Sequence, residues 1–144
     1  MKRKIRRNAF TLVELMVVIT ILGLMVAIVT VALPKRITRA RIETTKSQIY
    51  QFKNAISAFH LDTGMFPESL NDLIEKPTGE AGDKWDGPYL ADTEIVPKDA
   101  WGRDFEYKIP GQGGRDYEIV SYGQDGKPGG EGADADILSW VSGG

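Results

Sequence analysis

The sequence predicts an α+β protein, in which a long N-terminal helix packs on a small antiparallel β-sheet. An apolar run at residues 15–33 is followed by apolar side chains at helical spacing up to about His60. Further along, apolar and polar residues alternate in two short segments joined by a glycine-rich connector, which is typical of a half-buried β-hairpin. The chain has no cysteine, so no disulfide framework is expected.

Residues 1–9 form a basic leader that contains five Lys and Arg side chains and no acidic one. A basic segment ahead of an apolar run is what an export signal needs, because the positive end stays on the cytoplasmic side. No small-x-small cleavage site follows the apolar run. Without the leader, 13 basic side chains remain of the 18, against 20 acidic ones, a net charge near −7. This balance argues against nucleic-acid binding.

The apolar run is long enough to span a bilayer as a helix. Pro34 is expected to end or kink this helix, because proline lacks an N–H and clashes with the preceding turn. Glu14 lies at the cytoplasmic edge of the run, where a carboxylate needs compensation. From spacing alone two explanations stay open. The side chain snorkels to the interface, or it pairs with a cation on a neighbouring molecule.

Residues 37–60 predict an amphipathic continuation of the helix. Its apolar stripe, expected to face a globular head, consists of Ile42, Ile49, Phe52, Ile56 and Phe59. Lys46, Gln48 and Lys53 are expected to face outward. A coiled-coil partner is the alternative, but the heptads are too few to favour it.

A turn and a small head follow the helix. Gly64 is expected to stop the helix and Pro67 to prevent its resumption. Residues 68–74 predict a short helix, and residues 77–85 a loop. The tryptophans are expected to anchor the core; they are Trp85, Trp101 and Trp140.

The two alternating segments predict a hairpin. Its apolar positions are Phe105, Tyr107 and Ile109 on one strand and Tyr117 and Ile119 on the other. Residues 110–115 connect them.

Residues 123–137 combine many glycines with carboxylates at Asp125, Asp134 and Asp136. Calcium prefers flexible coordination by six to eight oxygens, which such a segment offers. The spacing does not match the helix–loop–helix calcium loop. A solvated acidic loop with a plain Asp-Gly turn is therefore the alternative.

The sequence Phe-Thr-Leu-Val-Glu at residues 10–14 resembles the type III signal of type IV pilins and type II secretion pseudopilins. The resemblance implies that a prepilin peptidase cuts between Ala9 and Phe10 and methylates the new amine of Phe10. The family usually has glycine before the cut, where this chain has Ala9. It also implies that Glu14 neutralises the Phe10 amine of a neighbouring subunit in a filament.

Three later segments resemble the major pseudopilins of the secretion branch. They are the turn and short helix after residue 61, the Asp-Ala-Trp-Gly turn at residues 99–102, and the acidic loop with its closing Ala-Asp-Ile. The resemblance implies a calcium ion held by the side chains of Asp125, Asp134 and Asp136, with Glu131 as a substitute for Asp134. The carbonyls of Tyr122 and Lys127 are the implied backbone ligands.

The resemblance implies a pilin-like architecture in four parts. They are a cleaved leader (1–9), a transmembrane and assembly helix (10–34), an amphipathic periplasmic helix (35–60) and a globular head with the calcium loop (61–144). The implied protein is the major subunit of a periplasmic pseudopilus that pushes folded exoproteins through an outer-membrane channel. Its inner-membrane anchor would be a single pass with the head in the periplasm.

The implied partners are further copies in a filament, minor pseudopilins, the inner-membrane assembly platform and the prepilin peptidase. An enzyme is not expected, because the sequence contains no nucleophile–base set and no phosphate-binding glycine motif. The two alternatives are a type IV pilus subunit, against which the absent cysteines and the acidic loop count, and an uncleaved, signal-anchored binding module.

Overall fold

The computed structural model describes residues 10–91 and 93–141, without the side chains of residues 27–35. The chain divides into two compact units, Met1–Ile37 and Thr38–Gly144. The predicted leader, with Ala9 on one side of the expected cleavage, lies outside the described residues.

Helix α1 covers Leu12–Thr63. It continues through Pro34, so Pro34 does not end the helix, and of the two expected outcomes the kink stays a prediction. One missing N–H costs a single hydrogen bond, and the long helical segments on both sides offset that loss. No helix in the part of the chain that the structure describes is both long and apolar enough to cross a membrane. The side chains of residues 27–33, the second half of the predicted span, lie outside the described residues.

In the first unit, the apolar side chains of the described part are exposed. Their exposed fractions range from 46% at Val18 to 80% at Phe10. In the second unit, the predicted stripe of α1 is buried, as the sequence predicts. Ile49, Phe52, Ile56 and Phe59 are each at most 4% exposed, and Ile42 is partly buried beside them. Lys46 and Lys53 are exposed, as expected.

Gln48 corrects one expectation about the helix surface. Its side chain is half-buried, and its amide donates a hydrogen bond to the carbonyl of Lys98 at 2.8 Å. The outward orientation predicted for it is therefore wrong, because the segment before Asp99 packs along this side of α1.

Gly64 ends α1 as predicted. It has a φ of 76°, and its N–H donates to the carbonyl of His60 at 2.8 Å. A short 3-10 helix follows at Leu70–Leu73, and it buries Leu70 and Leu73. The loop predicted for residues 77–85 contains a short helix, α2 (Glu80–Asp83), so this expectation is corrected. The i,i+4 ion pair of Glu80 and Lys84 supports that turn.

The sheet contains β1 (Glu106–Lys108), β2 (Glu118–Ser121) and β3 (Ile137–Leu138), in that order and antiparallel. The β1–β2 hairpin confirms the prediction, with Tyr107 opposite Ile119. Ile109 lies beyond the end of β1 and is exposed, so its predicted place on the apolar face is wrong. β3 was not predicted. Because it pairs with the second edge of β2, it makes β2 the central strand, and all four β2 residues are buried.

One cluster of buried side chains joins the sheet to α1. The rings of Phe52 and Phe105 meet edge to face, with centroids 5.1 Å apart. Ile119 and Ile137 belong to the same cluster. Trp85 and Trp101 pack against it, as expected, whereas Trp140 instead stacks under the guanidinium of Arg115 at 4.2 Å.

Candidate assembly and cation sites

The N-terminus of α1 is closed by Thr11 and Glu14. The backbone N–H and the hydroxyl of Thr11 both donate to one carboxylate oxygen of Glu14, each at 2.9 Å. The N–H of Glu14 donates back to the Thr11 hydroxyl at 3.2 Å. This is a capping box, which satisfies two helix N–H groups reciprocally. Spacing alone predicts snorkelling or a neighbouring cation for Glu14 and does not reveal this partner within the chain.

The acidic loop begins where the chain leaves β2. Gly123 has a φ of 58°, and a Cβ there would lie 2.8 Å from the carbonyl oxygen of Ala135. Glycine is therefore required where the two ends of the loop approach each other. The N–H of Gln124 donates to the carbonyl of Ala133 at 3.0 Å, and this hydrogen bond joins the two ends of the loop at its base.

Arg103 holds the same base from the outside. Its guanidinium donates to the carbonyls of Gly123 and Gln124, both at 2.8 Å. Sequence reasoning did not single out Arg103. The only signal is its position directly after the Asp-Ala-Trp-Gly turn, and nothing in the sequence says which carbonyls it would meet.

Of the predicted ligands, Asp125 and Tyr122 are engaged in the first turn of the loop. Asp125 accepts the N–H of Lys127 at 3.1 Å, and the Tyr122 carbonyl accepts the N–H of Gly126 at 3.1 Å. The Tyr122 hydroxyl donates to Glu106. The backbone around Lys127 is thus shaped by an aspartate side chain rather than by regular secondary structure.

Asp136 occupies the other arm of the loop. One of its carboxylate oxygens accepts the N–H of Gly129 at 3.0 Å. The other, Oδ1, is buried and has no hydrogen-bond partner among the described residues. Asp134 is half-buried, and its N–H donates to the carbonyl of Glu131 at 3.2 Å.

The predicted carboxylates are therefore in one loop but do not converge. Among the residues that the structure describes, no group of three or more His, Cys, Asp or Glu side chains could hold a metal ion. The predicted ligands nevertheless match a hard cation, since they are carboxylate and carbonyl oxygens. The buried Oδ1 of Asp136, without a hydrogen-bond partner among the described residues, is the observation that fits a bound cation.

Asp99 connects the Asp-Ala-Trp-Gly turn to the strand that enters the loop. One carboxylate oxygen accepts the N–H groups of Trp101 and Arg103, at 3.0 and 2.9 Å. The other accepts the hydroxyl of Ser121 at 2.7 Å. The turn is also tied to α1, because the N–H of Ala100 donates to the hydroxyl of Thr45. Both Asp99 and Ser121 are buried.

Glu118 forms the principal ion pair of the sheet. Its buried carboxylate accepts a hydrogen bond from the Arg115 guanidinium at 2.5 Å and from the N–H of Gln112 at 2.8 Å. These donors hold the pKa of the Glu118 carboxyl below its ordinary value, with Arg115 as the larger cause. Arg115 in turn covers the ring of Trp140, so the pair fixes the connector between β1 and β2 against the chain after β3.

Two family descriptions match the chain. The family "Type II secretion system (T2SS), protein G" matches residues 32–140. The "Prokaryotic N-terminal methylation motif" matches residues 4–30, which contain the predicted cleavage site and Glu14.

Curated relatives match over almost their whole length. Type II secretion system core protein G of Xanthomonas campestris is 36% identical over 143 residues, covering 94% of this chain and 96% of the relative. The protein of the same name from Vibrio cholerae is 35% identical, covering 97% and 96%. The one from Pseudomonas aeruginosa is 37% identical, covering 94% and 96%.

A solved structure has the same fold. The crystal structure of the major pseudopilin from the type 2 secretion system of enterohaemorrhagic Escherichia coli superposes with a TM-score of 0.53 at 28% identity. The match covers 71% of this chain and 88% of that one.

Proposed function

This chain belongs to the protein G family of type II secretion systems, the major pseudopilins, and from that membership we propose how it is anchored, processed and assembled. It is a structural subunit of the pseudopilus and not an enzyme, as the sequence predicts. Its long helix with a small antiparallel sheet is the pilin-like fold.

The N-terminal segment is processed and then drives assembly. A prepilin peptidase cuts between Ala9 and Phe10, and the new amine of Phe10 is methylated. The match to the methylation motif over residues 4–30 supports this step. Residues 10–34 anchor the subunit in the inner membrane as a single pass, with the head in the periplasm. The exposed apolar side chains of the described part of this segment support a lipid or protein environment around it.

Glu14 acts in two successive states. In the membrane, its carboxylate is held by Thr11 of its own chain, as in the capping box described above. In the filament, the Phe10 amine of a neighbouring subunit pairs with Glu14, and neighbouring helices replace lipid around the apolar segment. A charge pair compensates a carboxylate in apolar surroundings better than neutral hydrogen bonds do.

The acidic loop takes calcium. The side chains of Asp125, Asp134 and Asp136 hold the ion, together with the carbonyls of Tyr122 and Lys127. The buried, unpartnered oxygen of Asp136 carries this proposal. Calcium supplies the positive charge that draws the carboxylates together, and it thereby fixes the shape of the head. Partners in the envelope would be further copies, minor pseudopilins and the assembly platform.

Intact mass of the protein, expressed with and without its prepilin peptidase, tests the processing step. We expect a species that starts at Phe10 and carries one methyl group only when the peptidase is active. A chain that keeps residues 1–9 beside an active peptidase would contradict the proposal. It would favour a signal-anchored binding module instead.

A further inference from the structure

A groove on the head has an apolar floor and a basic rim. It measures about 480 Å³ and lies between one flank of α1 and residues 132–141. We call it the lysine groove. Its apolar side chains include Ile42, Tyr50, Leu138 and Val141, and its charged side chains are Lys46, Lys53 and Asp136. Lys46 pairs with Glu43 at 3.4 Å and Lys53 donates to the carbonyl of Ser139 at 3.1 Å, but an ammonium has three N–H donors, so each lysine keeps two for a partner. Tyr50 is 65% exposed and Val141 59%, so a partner could cover substantial apolar area here.

Exposed apolar side chains elsewhere on the described head are the candidates to enter the groove. Outside the groove, the large ones in the second unit are Leu61, Ile95 and Ile109, which are 82%, 74% and 39% exposed. Each has a charged neighbour in the sequence. An acidic neighbour would be attracted to the lysines of the groove, and a basic one would be repelled.

Charge selects Ile95. Its neighbour Glu94 is exposed and has no hydrogen bond or ion pair among the described residues. Leu61 also has an acidic neighbour, but Asp62 already accepts the hydroxyl of Tyr89 at 2.8 Å. Ile109 follows a lysine, Lys108, which the groove would repel.

Local structure presents Ile95 outward. The Thr93 hydroxyl accepts the Ile95 N–H at 3.4 Å and donates to the Ile95 carbonyl at 2.5 Å. These bonds bend the backbone on itself, so that its polar groups are satisfied while the isoleucine side chain faces solvent.

The groove and Ile95 lie on different sides of one head. The groove uses the α1 stripe of Lys46, Tyr50 and Lys53, whereas the segment around Thr93 packs beside the stripe of Gln51 and Asn54. At about 100° per residue, these stripes are roughly 100° apart around the helix axis. A chain therefore does not fill its own groove with Ile95, and the contact joins two copies.

We propose that Ile95 of one subunit enters the lysine groove of the next, where Glu94 pairs with Lys46 and Lys53. The proposal rests on the filament proposed above and names the head surfaces that meet in it. Two different surfaces make a head-to-tail contact, which propagates instead of closing on itself. One wall of the groove belongs to the calcium loop, since Gly132 and Asp136 line it, so a folded loop is required for the contact.

Disulfide cross-linking tests the contact, because the chain has no cysteine of its own. The full chain carrying both Ile95→Cys and Val141→Cys is expressed with the secretion system and its peptidase. We expect a ladder of dimers, trimers and higher multimers on a non-reducing gel. A mixture of the two single variants should stop at dimers, because each chain then has one linkable surface.

The matched control is Ile109→Cys with Val141→Cys, which keeps the same groove cysteine and should give no ladder. In the double-cysteine background, Glu94→Lys should abolish the ladder, and adding Lys46→Glu should restore it. All the positions changed are exposed, so the fold is retained.

A ladder no stronger than that of the control would overturn the contact. If the same cells still contain methylated protein starting at Phe10 and filaments, the proposed function stands without it. If the cells contain neither processed protein nor filaments, both the proposed contact and the proposed function are overturned.

Discussion

The hydroxyl of Ser121 donates a 2.7 Å hydrogen bond to the buried carboxylate of Asp99, across 22 residues of sequence. The same carboxylate holds the N–H groups of Trp101 and Arg103. The guanidinium of Arg103 in turn donates a hydrogen bond to the carbonyl of Gly123 at the base of the acidic loop. One side chain thus links the Asp-Ala-Trp-Gly turn, the central strand and the candidate cation site.

Replacing Asp99 by alanine should destabilise the head by roughly 3 kcal/mol. Each buried donor left without an acceptor costs about 1–3 kcal/mol. Urea unfolding of the detergent-solubilised full chain, followed by tryptophan fluorescence, measures this loss. Asp104→Ala is the matched control, because Asp104 is exposed and paired only at the surface with Lys98. If the two variants unfold at the same urea concentration, Asp99 does not stabilise the head by linking the Asp-Ala-Trp-Gly turn to the central strand.

Calcium should stabilise the head. At a free concentration one hundred times its Kd, a ligand that binds only the folded state adds about 2.7 kcal/mol. We therefore expect Tm to rise with calcium and to fall again with chelator. The increase should disappear in Asp136→Asn but remain in Asp116→Asn, which changes an exposed aspartate outside the loop. A wild-type Tm that does not respond to chelation refutes the calcium site.

Glu14→Ala should block filament assembly while the protein still enters the membrane. The variant removes the carboxylate that pairs with the neighbouring Phe10 amine, and it makes the segment more apolar, which favours insertion. Membrane fractionation and sheared-filament yield measure the two steps separately. Glu75→Ala, at an exposed position of the head, should leave both unchanged. Normal filaments from Glu14→Ala would refute the pairing.

Acidification should weaken the head through Glu118. Its folded-state pKa is lowered by Arg115 and by the N–H of Gln112. Ionised Glu118 therefore contributes to the free energy of unfolding above the ordinary glutamate pKa of about 4.3. This contribution is lost as pH falls through the lower pKa of Glu118 in the folded state. In urea unfolding from pH 7 down to about pH 3, the free energy of unfolding should fall less steeply for Glu118→Gln than for wild type. Parallel curves would exclude Glu118 as a contributor.

Much of the fold could be predicted from local patterns. The stripe from Ile49 to Phe59 repeats at helical spacing, and the structure buries it. Gly64 was expected to end α1 because only a left-handed residue suits that position, and its φ of 76° confirms it. The β1–β2 hairpin followed from alternation in two adjacent segments. In each case the pattern that predicts the element lies within one segment or two adjacent segments.

Other features depend on the surroundings. β3 has two residues and no alternation of its own, and it exists because β2 offers it an edge. Pro34 lies inside α1 although local rules favour a break, and the short helix α2 interrupts a predicted loop. Gln48 turns inward because a distant carbonyl, that of Lys98, lies within reach.

Periodicity and short motifs predict the helix, its buried stripe, the hairpin and the family resemblance, because they act over neighbouring residues. Which distant groups meet depends on the folded chain. The fold places Arg103 on the carbonyls of the acidic loop, joins Asp99 to Ser121 and leaves one oxygen of Asp136 without a partner among the described residues. Such contacts depend on how separate segments pack around one core, which spacing along the chain does not encode.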